Sequence, residues 1–311
     1  NHIGVPLTLL RLTEEHDIAV IEMGANHPGE IRELVNIAQP DYGIVTNVGR
    51  AHLEGFGSLE GVIKTKGELY EYIRETNGRI FINQDNTYLT KIAGGIKQVT
   101  YGKMVPPDGQ SDKSHPDVGG RVLNRIPYLS LQWQQQNEVV HTIETHLIGD
   151  YNIWNILAAI VTGLYFRIPP EQIDKAIAGY EPNNNRSQLK KTRYNNLIID
   201  AYNANPDSMK AALENFASLD VFPKAVILGD MRELGEDCLE LHMEIIRQIK
   251  SCHFEKTLLC GELFTEAGHE YTSFPTVELL IEYIKTNPLK GFYILIKGSR
   301  GLHLEKTIQF L

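Results

Sequence analysis

The stretch at residues 42–70 constrains the fold more than any other part of this sequence. It opens with an apolar run at 42–48, typical of a buried strand, and continues into a polar turn punctuated by glycines. A helical pattern follows, and Ser58 is placed to cap it. Because open parallel sheets bind ligands where their strands end, the turn is a candidate ligand loop. An ordinary connection between a strand and a helix would show the same pattern.

Strand and helix patterns alternate in two separate parts of the chain. In the first part, buried strands are predicted at 17–24, 42–48 and 79–83 with helices between them. This order indicates a parallel sheet with right-handed crossovers. From 98 to 148 the pattern has period 2 and few helical signals, which predicts a small antiparallel side sheet. A second alternation of strands and helices begins at 197.

The predicted fold is therefore α/β with two domains. Residues 1–182 would form the parallel-sheet domain with its side sheet, and residues 183–311 a Rossmann-like domain. The boundary lies at the segment EPNNNR (181–186), because proline and asparagine are typical of linkers. A cleft between two such domains is a common place for small molecules to bind.

Charge and composition disfavour several classes of protein. With 30 basic and 39 acidic residues and a net charge of −9, a broad surface for nucleic acid or anionic membranes is not expected. The longest apolar run, at 156–166, is too short to span a bilayer. The three cysteines are scattered, as expected for reduced thiols in a cytoplasmic protein. We expect a cytoplasmic monomer whose partners are small molecules.

Residues suited to chemistry follow several of the predicted strands. These 311 residues contain no Gly-x-x-x-x-Gly-Lys-Ser/Thr phosphate loop, no HExxH or GxSxG motif, and no Cys and His at zinc-site spacing. The polar residues at or after strand ends are Glu22, Asn47, His52, Lys66 on the next helix, Asp200, Tyr202, Asn203, Asp230, Glu233, Lys297, Ser299 and Arg300. Each is a weak signal alone, but polar groups at several strand ends favour a ligand site.

An ordered series of motifs resembles those of the Mur ligase family. The motifs are IEMGANHPGEI, TNVGRAHLEGFGSLEGVIKTKGELY, GDYNIWNILAA, DAYNANPDSMKAAL, LGDMRELGE and IKGSRG. The resemblance covers nearly the whole chain and is strongest to family members that add D-alanyl-D-alanine to UDP-N-acetylmuramoyl-tripeptide. It implies an ATP-dependent amide ligase of peptidoglycan precursor synthesis. Such an enzyme phosphorylates a terminal carboxylate with ATP, and the incoming amine then displaces phosphate.

The resemblance implies a magnesium site in the first domain. Glu22 and His52 would ligate Mg²⁺ near the γ-phosphate; carboxylate is the usual ligand type and imidazole is less usual. A Glu that reaches solvent and a structural His are the alternatives. Lys66 matches the family position whose amine is carbamylated by carbon dioxide, although a surface role is possible and Lys64 is close enough to confuse the assignment. Asn47 is assigned to the substrate side.

The resemblance also implies where the nucleotide binds. Asn152 and Asn155, three apart on one helix, would contact adenine, although Asn152 is also placed to cap that helix. Arg186 matches an arginine that meets the phosphates, and a planar guanidinium suits that task. Asp200 would accept hydrogen bonds from the ribose hydroxyls.

The remaining strand-end residues of the second domain have less definite roles. Tyr202 and Asn203 would line the nucleotide side. Lys297 and Ser299 are candidates for contacting the incoming dipeptide or the acyl phosphate. The two acidic residues that follow the strand at 224–228 are equally suited to structural caps or ion pairs.

The chain departs from the family pattern at its front. Family members carry a UDP-sugar-binding domain and a Gly-Thr-x-Gly-Lys-Thr phosphate loop ahead of the NHIGVP segment, and neither is found in these 311 residues. We therefore expect the 311 residues alone to lack ligase activity, and phosphate release that depends on D-alanyl-D-alanine would contradict this. The alternatives are a sister Mur ligase, a folylpolyglutamate synthetase, or a non-catalytic binding protein that has lost its phosphate loop.

Overall fold

A computed structural model describes residues 1–50, 53–104, 115–136, 138–182 and 187–311. The chain divides into two compact units. The first comprises Asn1–Arg121, Gln132–Thr142 and Ile153–Asp174, and the second comprises Val122–Leu131, Ile143–Asn152 and Lys175–Leu311.

The described residues form helices and strands in alternation, with short 3-10 helices in the C-terminal part. The α-helices are α1 (Gly4–Leu9), α2 (Glu30–Ala38), α3 (Leu53–Phe56), α4 (Leu59–Glu75), α5 (Thr87–Ile92), α6 (Asn152–Tyr165), α7 (Pro170–Ala178), α8 (Pro206–Ser218), α9 (Cys238–Cys252), α10 (Glu262–Glu266) and α11 (Val277–Thr286). The strands are β1 (Tyr42–Ile44), β2 (Arg79–Asn83), β3 (Lys97–Lys103), β4 (Val118–Asn124), β5 (Ser130–Gln135), β6 (His141–Glu144), β7 (Gln188–Lys191), β8 (Asn196–Asp200), β9 (Lys224–Gly229), β10 (Lys256–Cys260), β11 (Thr272–Phe274) and β12 (Tyr293–Lys297). The 3-10 helices are Gly235–Asp237, Arg300–Leu302 and Leu304–Phe310.

The first sheet has the strand order β1-β2-β3-β4-β5-β6. Strands β1, β2 and β3 are parallel, which confirms the predicted parallel sheet. The predicted antiparallel side sheet is corrected in one respect: β3 and β4 belong to this same sheet and run parallel, with Tyr101 opposite Val118. Period-2 alternation reports which side chains share a face and not the direction of a strand. The long connection from β3 to β4 permits the crossover that parallel strands need.

The prediction of a buried strand at residues 17–24 is wrong. This segment forms no strand, Val20 is 88% exposed, and Glu22 is exposed as well. An apolar run becomes a strand only where a neighbouring strand is available for hydrogen bonding, and here the sheet order ends at β1. Ile21 and Met23 still pack against the buried cluster that contains Leu34. The segment therefore packs within the first unit without forming a helix or strand.

Helix α4 packs on the parallel strands of the first unit. Ser58 caps it as predicted, because its Oγ accepts a hydrogen bond from the Gly61 N–H at 3.2 Å. On its inner face, Tyr70 and Ile73 are fully buried in a cluster with Ile80 and Ile82 of β2. This packing fixes the outward residues of α4 relative to the strand ends.

The second sheet has the order β11-β10-β9-β12-β8-β7. All its neighbouring strands are parallel except β7, which is antiparallel to β8. The parallel strands are nearly continuous apolar runs, as expected for a sheet covered on both faces. Strand β12 lies between β8 and β9, so the carboxyl ends of three strands that are distant in sequence meet at one edge. Among the described residues, no helix combines the length and apolar character needed to cross a membrane.

Candidate functional site

In the first unit, Lys66 reaches the end of the first strand. Its Nζ donates a hydrogen bond to the backbone carbonyl of Asn47 at 2.9 Å, across the turn that leads from β1 to α4. Lys66 is half-buried, and this burial lowers the pKa of its amine. Lys64 is exposed. Of the two lysines that the sequence leaves as alternatives, only Lys66 is held at the strand end.

The predicted metal ligands are only partly described. Glu22 is an exposed carboxylate on a segment without helix or strand, so it is open to a cation, and carboxylate is the ligand type that Mg²⁺ prefers. His52 lies outside the described residues. Within the described ranges, no group of three or more His, Cys, Asp or Glu side chains is arranged to hold a metal ion. The carboxylate of Glu22 suits magnesium, whereas the amine of Lys66 in its unmodified form does not, and the described residues do not form a complete site.

Helix α4 is held in place by a carboxylate that the sequence does not reveal as important. Glu68 is buried, and its two oxygens accept hydrogen bonds from the N–H groups of Gly29 and Arg32, both at 2.8 Å. These donors lie at the N-terminus of α2, where backbone N–H groups have no partner within the helix. Glu68 therefore ties α2 to the helix that carries Lys66. Its donors are distant in sequence, so no local pattern predicts the contact.

In the second unit, Asp200 and Lys297 form a buried ion pair at the carboxyl edge of the sheet. They end the adjacent strands β8 and β12 and stand directly opposite each other. The Lys297 Nζ lies 2.6 Å from Oδ2 of Asp200 and also donates to the Asn203 carbonyl at 3.3 Å. Only 2% of the Lys297 side chain is exposed, against 15% for Asp200. The structure thus brings together three of the predicted site residues.

The loop after β8 is tied down at both ends. The Asn203 Oδ1 accepts a hydrogen bond from the Ala204 N–H at 2.9 Å. Asn205 and Ser208 form a capping box that starts α8, with Pro206 in its first turn. The sequence Asn-Pro-x-Ser is a signal that could have identified this cap. The loop that follows β12 approaches the loop after β8 through Arg300, whose guanidinium lies 5.3 Å from the centre of the Tyr202 ring.

Ser299 and Asp230 join neighbouring loops of the second unit. The Ser299 Oγ accepts from the Arg232 N–H at 3.0 Å, and its own N–H donates to the Asp230 carbonyl at 3.1 Å. The Asp230 carboxylate accepts from the N–H groups of Leu263 and Phe264, at 3.0 and 2.9 Å. Asp230 therefore caps α10, which is the structural alternative that its sequence position leaves open. Both side chains shape the edge of the sheet.

The start of α6 carries the predicted adenine contacts. Asn152 is buried and its side-chain amide donates to the Ile148 carbonyl at 2.8 Å, whereas Asn155 is exposed. Beside them, the Tyr151 hydroxyl lies 2.6 Å from the Ser187 Oγ. Burial raises the pKa of Tyr151, and the negative charge of Asp200 adds to this effect. Sequence reasoning missed Tyr151, because its partner Ser187 lies 36 positions away in the sequence and no local pattern links the two.

A glycine is required beside this tyrosine. Gly149 has a φ of 96°, and a Cβ atom there would come within 2.4 Å of the Tyr151 ring. Arg186, the predicted phosphate contact, lies outside the described residues.

Comparison with known proteins identifies the family. Residues 1–163 match the Mur ligase middle domain, and residues 185–300 match the family described as Mur ligase, glutamate ligase domain. The UDP-N-acetylmuramoyl-tripeptide–D-alanyl-D-alanine ligase of Bacillus subtilis (strain 168) is 33% identical over 323 residues, covering 100% of this chain and 68% of that enzyme. The enzyme of the same name from Haemophilus influenzae is 35% identical over 331 residues, again covering 100% and 68%.

Solved structures agree with this assignment. A crystal structure of MurF from Acinetobacter baumannii superposes with a TM-score of 0.85 at 27% identity, covering 99% of this chain and 68% of that one. Sequence and structure therefore match the same family along the whole chain. The protein belongs to the Mur ligase family.

Proposed function

We propose that the protein is an ATP-dependent amide ligase that adds D-alanyl-D-alanine to UDP-N-acetylmuramoyl-tripeptide in peptidoglycan precursor synthesis. The observation that carries this proposal is the 33% identity to the Bacillus subtilis ligase over all of this chain. The proposed setting is the cytoplasm, and the proposed active form is a monomer. We also propose a domain boundary near residue 183, because the two family matches end at 163 and resume at 185.

The proposed reaction has two steps. A carboxylate oxygen of the tripeptide attacks the γ-phosphorus of ATP, and ADP leaves. The amine of the dipeptide then attacks the carbonyl carbon of the acyl phosphate, the bond between carbon and the phosphate oxygen breaks, and the amine gives up a proton. Negative charge accumulates on the transferring groups in both steps, so the protein has to supply hydrogen-bond donors and cations.

In the first unit, we assign Glu22, His52 and a carbamate on Lys66 as ligands of magnesium, and Asn47 to the substrate side. Magnesium would neutralise phosphate charge when bound. The state of Lys66 supports its assignment, because carbon dioxide reacts with the neutral amine and burial lowers the pKa of this amine. The hydrogen bond to the Asn47 carbonyl keeps the amine at the strand end.

In the second unit, we assign Asp200 to the ribose hydroxyls and Tyr202 and Asn203 to the nucleotide side. Asp200 and Tyr202 are partly exposed and Asn203 is exposed, so all three are open to a ligand. Lys297 and Ser299 are buried, and their polar atoms bond to neighbouring loops. These contacts favour a role in shaping the site over direct contact with the dipeptide.

Further assignments rest on family position. Asn152 and Asn155 remain the proposed adenine contacts, and Arg186 the proposed phosphate contact. Of these, Asn155 is exposed, whereas Asn152 is buried and already donates its amide to the backbone.

The test is a coupled assay of ADP release by the complete gene product. We expect release to require ATP, magnesium, UDP-N-acetylmuramoyl-tripeptide and D-alanyl-D-alanine together. Stimulation by a single amino acid in place of the dipeptide would indicate a sister ligase, and stimulation by folate and glutamate a folylpolyglutamate synthetase. Nucleotide binding without turnover under any of these conditions would indicate a binding protein.

The Lys66 assignment has its own test, with Lys64 as the matched control. Because a carbamate on Lys66 would hold a catalytic cation, we expect Lys66→Ala to lower kcat by about a hundredfold or more. Lys64→Ala should stay within about threefold of the parent, as expected for an exposed side chain. With ¹³C-bicarbonate, a carbamate resonance should be present in the parent and in Lys64→Ala but absent in Lys66→Ala. A large fall in kcat for Lys64→Ala, with kcat of Lys66→Ala unchanged, would assign the carbamate to Lys64 instead.

A further inference from the structure

Lys297 occupies an unusual position for a substrate-binding cation. It ends β12, which lies between β8 and β9 in the second sheet, and 2% of its side chain is exposed. Both acceptors of its amine belong to the protein: Oδ2 of Asp200 at 2.6 Å and the backbone carbonyl of Asn203 at 3.3 Å. A buried ammonium needs such acceptors, because it has lost its hydration. A group engaged in this way is poorly placed to bind a substrate that arrives and leaves.

The two acceptors lie at either end of one short loop. Asp200 is the last residue of β8, and Asn203 precedes the cap of α8. Lys297 therefore joins the strand end to the loop and fixes the spacing between them. The Asn203 side chain is itself held by the Ala204 N–H. Lys297 and Asp200 lie directly opposite each other on adjacent strands, so the pairing of β12 with β8 brings their side chains together.

The contact also orients the carboxylate. Lys297 binds Oδ2 of Asp200, while the Asp200 side chain keeps 15% of its surface exposed. An aspartate held by one oxygen presents the other in a fixed direction, so less conformational freedom is lost when a ligand binds. A carboxylate accepts hydrogen bonds from hydroxyl groups, so this oxygen is suited to the two hydroxyls of a ribose.

We propose that Lys297 is a positioning residue that presents Asp200 to the ribose of ATP and thereby sets the preference for ribonucleotides over deoxyribonucleotides. The proposal rests on the proposed function, in which Asp200 accepts from the ribose hydroxyls. This positioning role replaces the direct contact between Lys297 and the dipeptide that is expected from the sequence. Ribose recognition is then weakened by changing a side chain that does not touch the nucleotide.

The experiment measures nucleotide affinity by calorimetry and the KM of D-alanyl-D-alanine by steady-state kinetics, using the complete gene product. The probes are ATP, 2′-deoxy-ATP and 3′-deoxy-ATP. The parent should prefer ATP over at least one deoxy analogue by about tenfold or more, because a hydrogen bond to a charged group is lost. In Lys297→Met this preference should fall to within about threefold, while the KM of D-alanyl-D-alanine stays within about twofold.

Companion variants keep the test informative if Lys297→Met folds poorly. Asp200→Asn should show the same loss of preference, and Lys297→Met/Asp200→Asn, which leaves no unpaired buried charge, should lose no more than either single variant. Lys210→Met, at an exposed lysine of α8, is the control and should keep the parent preference. Lys297→Arg, which keeps the charge, should recover part of the preference.

Two results would overturn the proposal. One is a rise in the KM of D-alanyl-D-alanine in Lys297→Met with the preference for ATP intact, which would restore the direct dipeptide contact. The other is a parent protein that binds ATP and both deoxy analogues equally. Because nucleotide preference is scored by binding, it can be judged even if the complete gene product shows no ligase turnover, which would contradict the proposed function itself.

Discussion

At the scale of single residues, the buried polar side chains divide by whether they have partners. Lys297 and Glu68 are each held by two contacts from distant parts of their own unit. By contrast, the hydroxyl of Tyr101 is buried without a hydrogen-bond partner among the described residues. Its burial raises the pKa of Tyr101 to about 12. Buried polar groups with partners hold neighbouring segments in place. A buried hydroxyl without a partner instead lowers the free energy of unfolding.

The Tyr101 hydroxyl should make the protein sensitive to alkali. The folded state holds this proton more tightly than the unfolded state, so stability is fully present below pH 10 and is lost as the pH rises toward 12. Two pKa units correspond to about 2–3 kcal/mol. Tyr101→Phe should reduce this alkaline loss in urea unfolding experiments and cost little at pH 7, because no hydrogen bond is removed.

Tyr180→Phe, which removes an exposed hydroxyl, is the control and should leave the pH profile unchanged. If Tyr101→Phe unfolds with the parent pH dependence between pH 10 and 12, the hydroxyl does not titrate with folding.

At the scale of elements, helix α4 is positioned by what lies beneath and beside it. Its inner face packs on β2, and Glu68 binds the start of α2. On its outer surface, Glu71 and Glu75 pair with Arg32, at 2.8 and 2.9 Å. The buried contact and the exposed pairs join the same two helices, so their contributions can be compared directly.

Glu68→Ala should destabilise the protein by about 1–3 kcal/mol, because two backbone N–H groups at a helix N-terminus lose their acceptor in a partly buried place. Glu71→Ala, on the same helix, should cost less than about 1 kcal/mol, since an exposed ion pair contributes little. Chemical denaturation of both variants measures the difference. Equal losses would show that the α2 terminus finds other partners when Glu68 is removed.

Elements with strong local signals are predictable from the sequence, whereas their partners are not. The apolar run of β2 and the cap at Ser58 both appear in the structure where the sequence predicts them. Residues 17–24 have an equally apolar pattern and form no strand, because a strand also needs a neighbour. The predicted direction of β4 relative to β3 is wrong for a related reason, because the alternation of side chains does not encode the direction of a strand.

In the candidate site too, the positions of residues are predictable from local sequence, whereas their tertiary contacts are not. The locations of Asp200, Tyr202 and Asn203 at a strand end are predictable, because that end is visible in the sequence. The pairing of Asp200 with Lys297 is not, because it depends on β12 inserting between β8 and β9. The contact between Tyr151 and Ser187 also depends on tertiary structure.

At the scale of the whole molecule, protection from solvent is uneven. The central strands β9 and β12 are almost entirely buried, whereas Ile18 and Val20 in the segment at residues 17–24 are 49% and 88% exposed. Native-state hydrogen exchange should therefore be at least about a thousandfold slower for the amides of β9 and β12 than for those of residues 17–20. Comparable protection of the two regions would contradict the absence of helix and strand hydrogen bonds in residues 17–20.

The alignment of β12 with β8 also bears on how the sheet assembles. A shift of one residue would place Ile296 opposite Asp200 and turn Lys297 to the other side of the sheet. Lys297 would then lose its partner in a buried place, and breaking a buried ion pair costs about 3–5 kcal/mol. The correct alignment alone satisfies both groups. The pair proposed to serve nucleotide selection thus also favours the observed alignment of β12 with β8 over a shift of one residue.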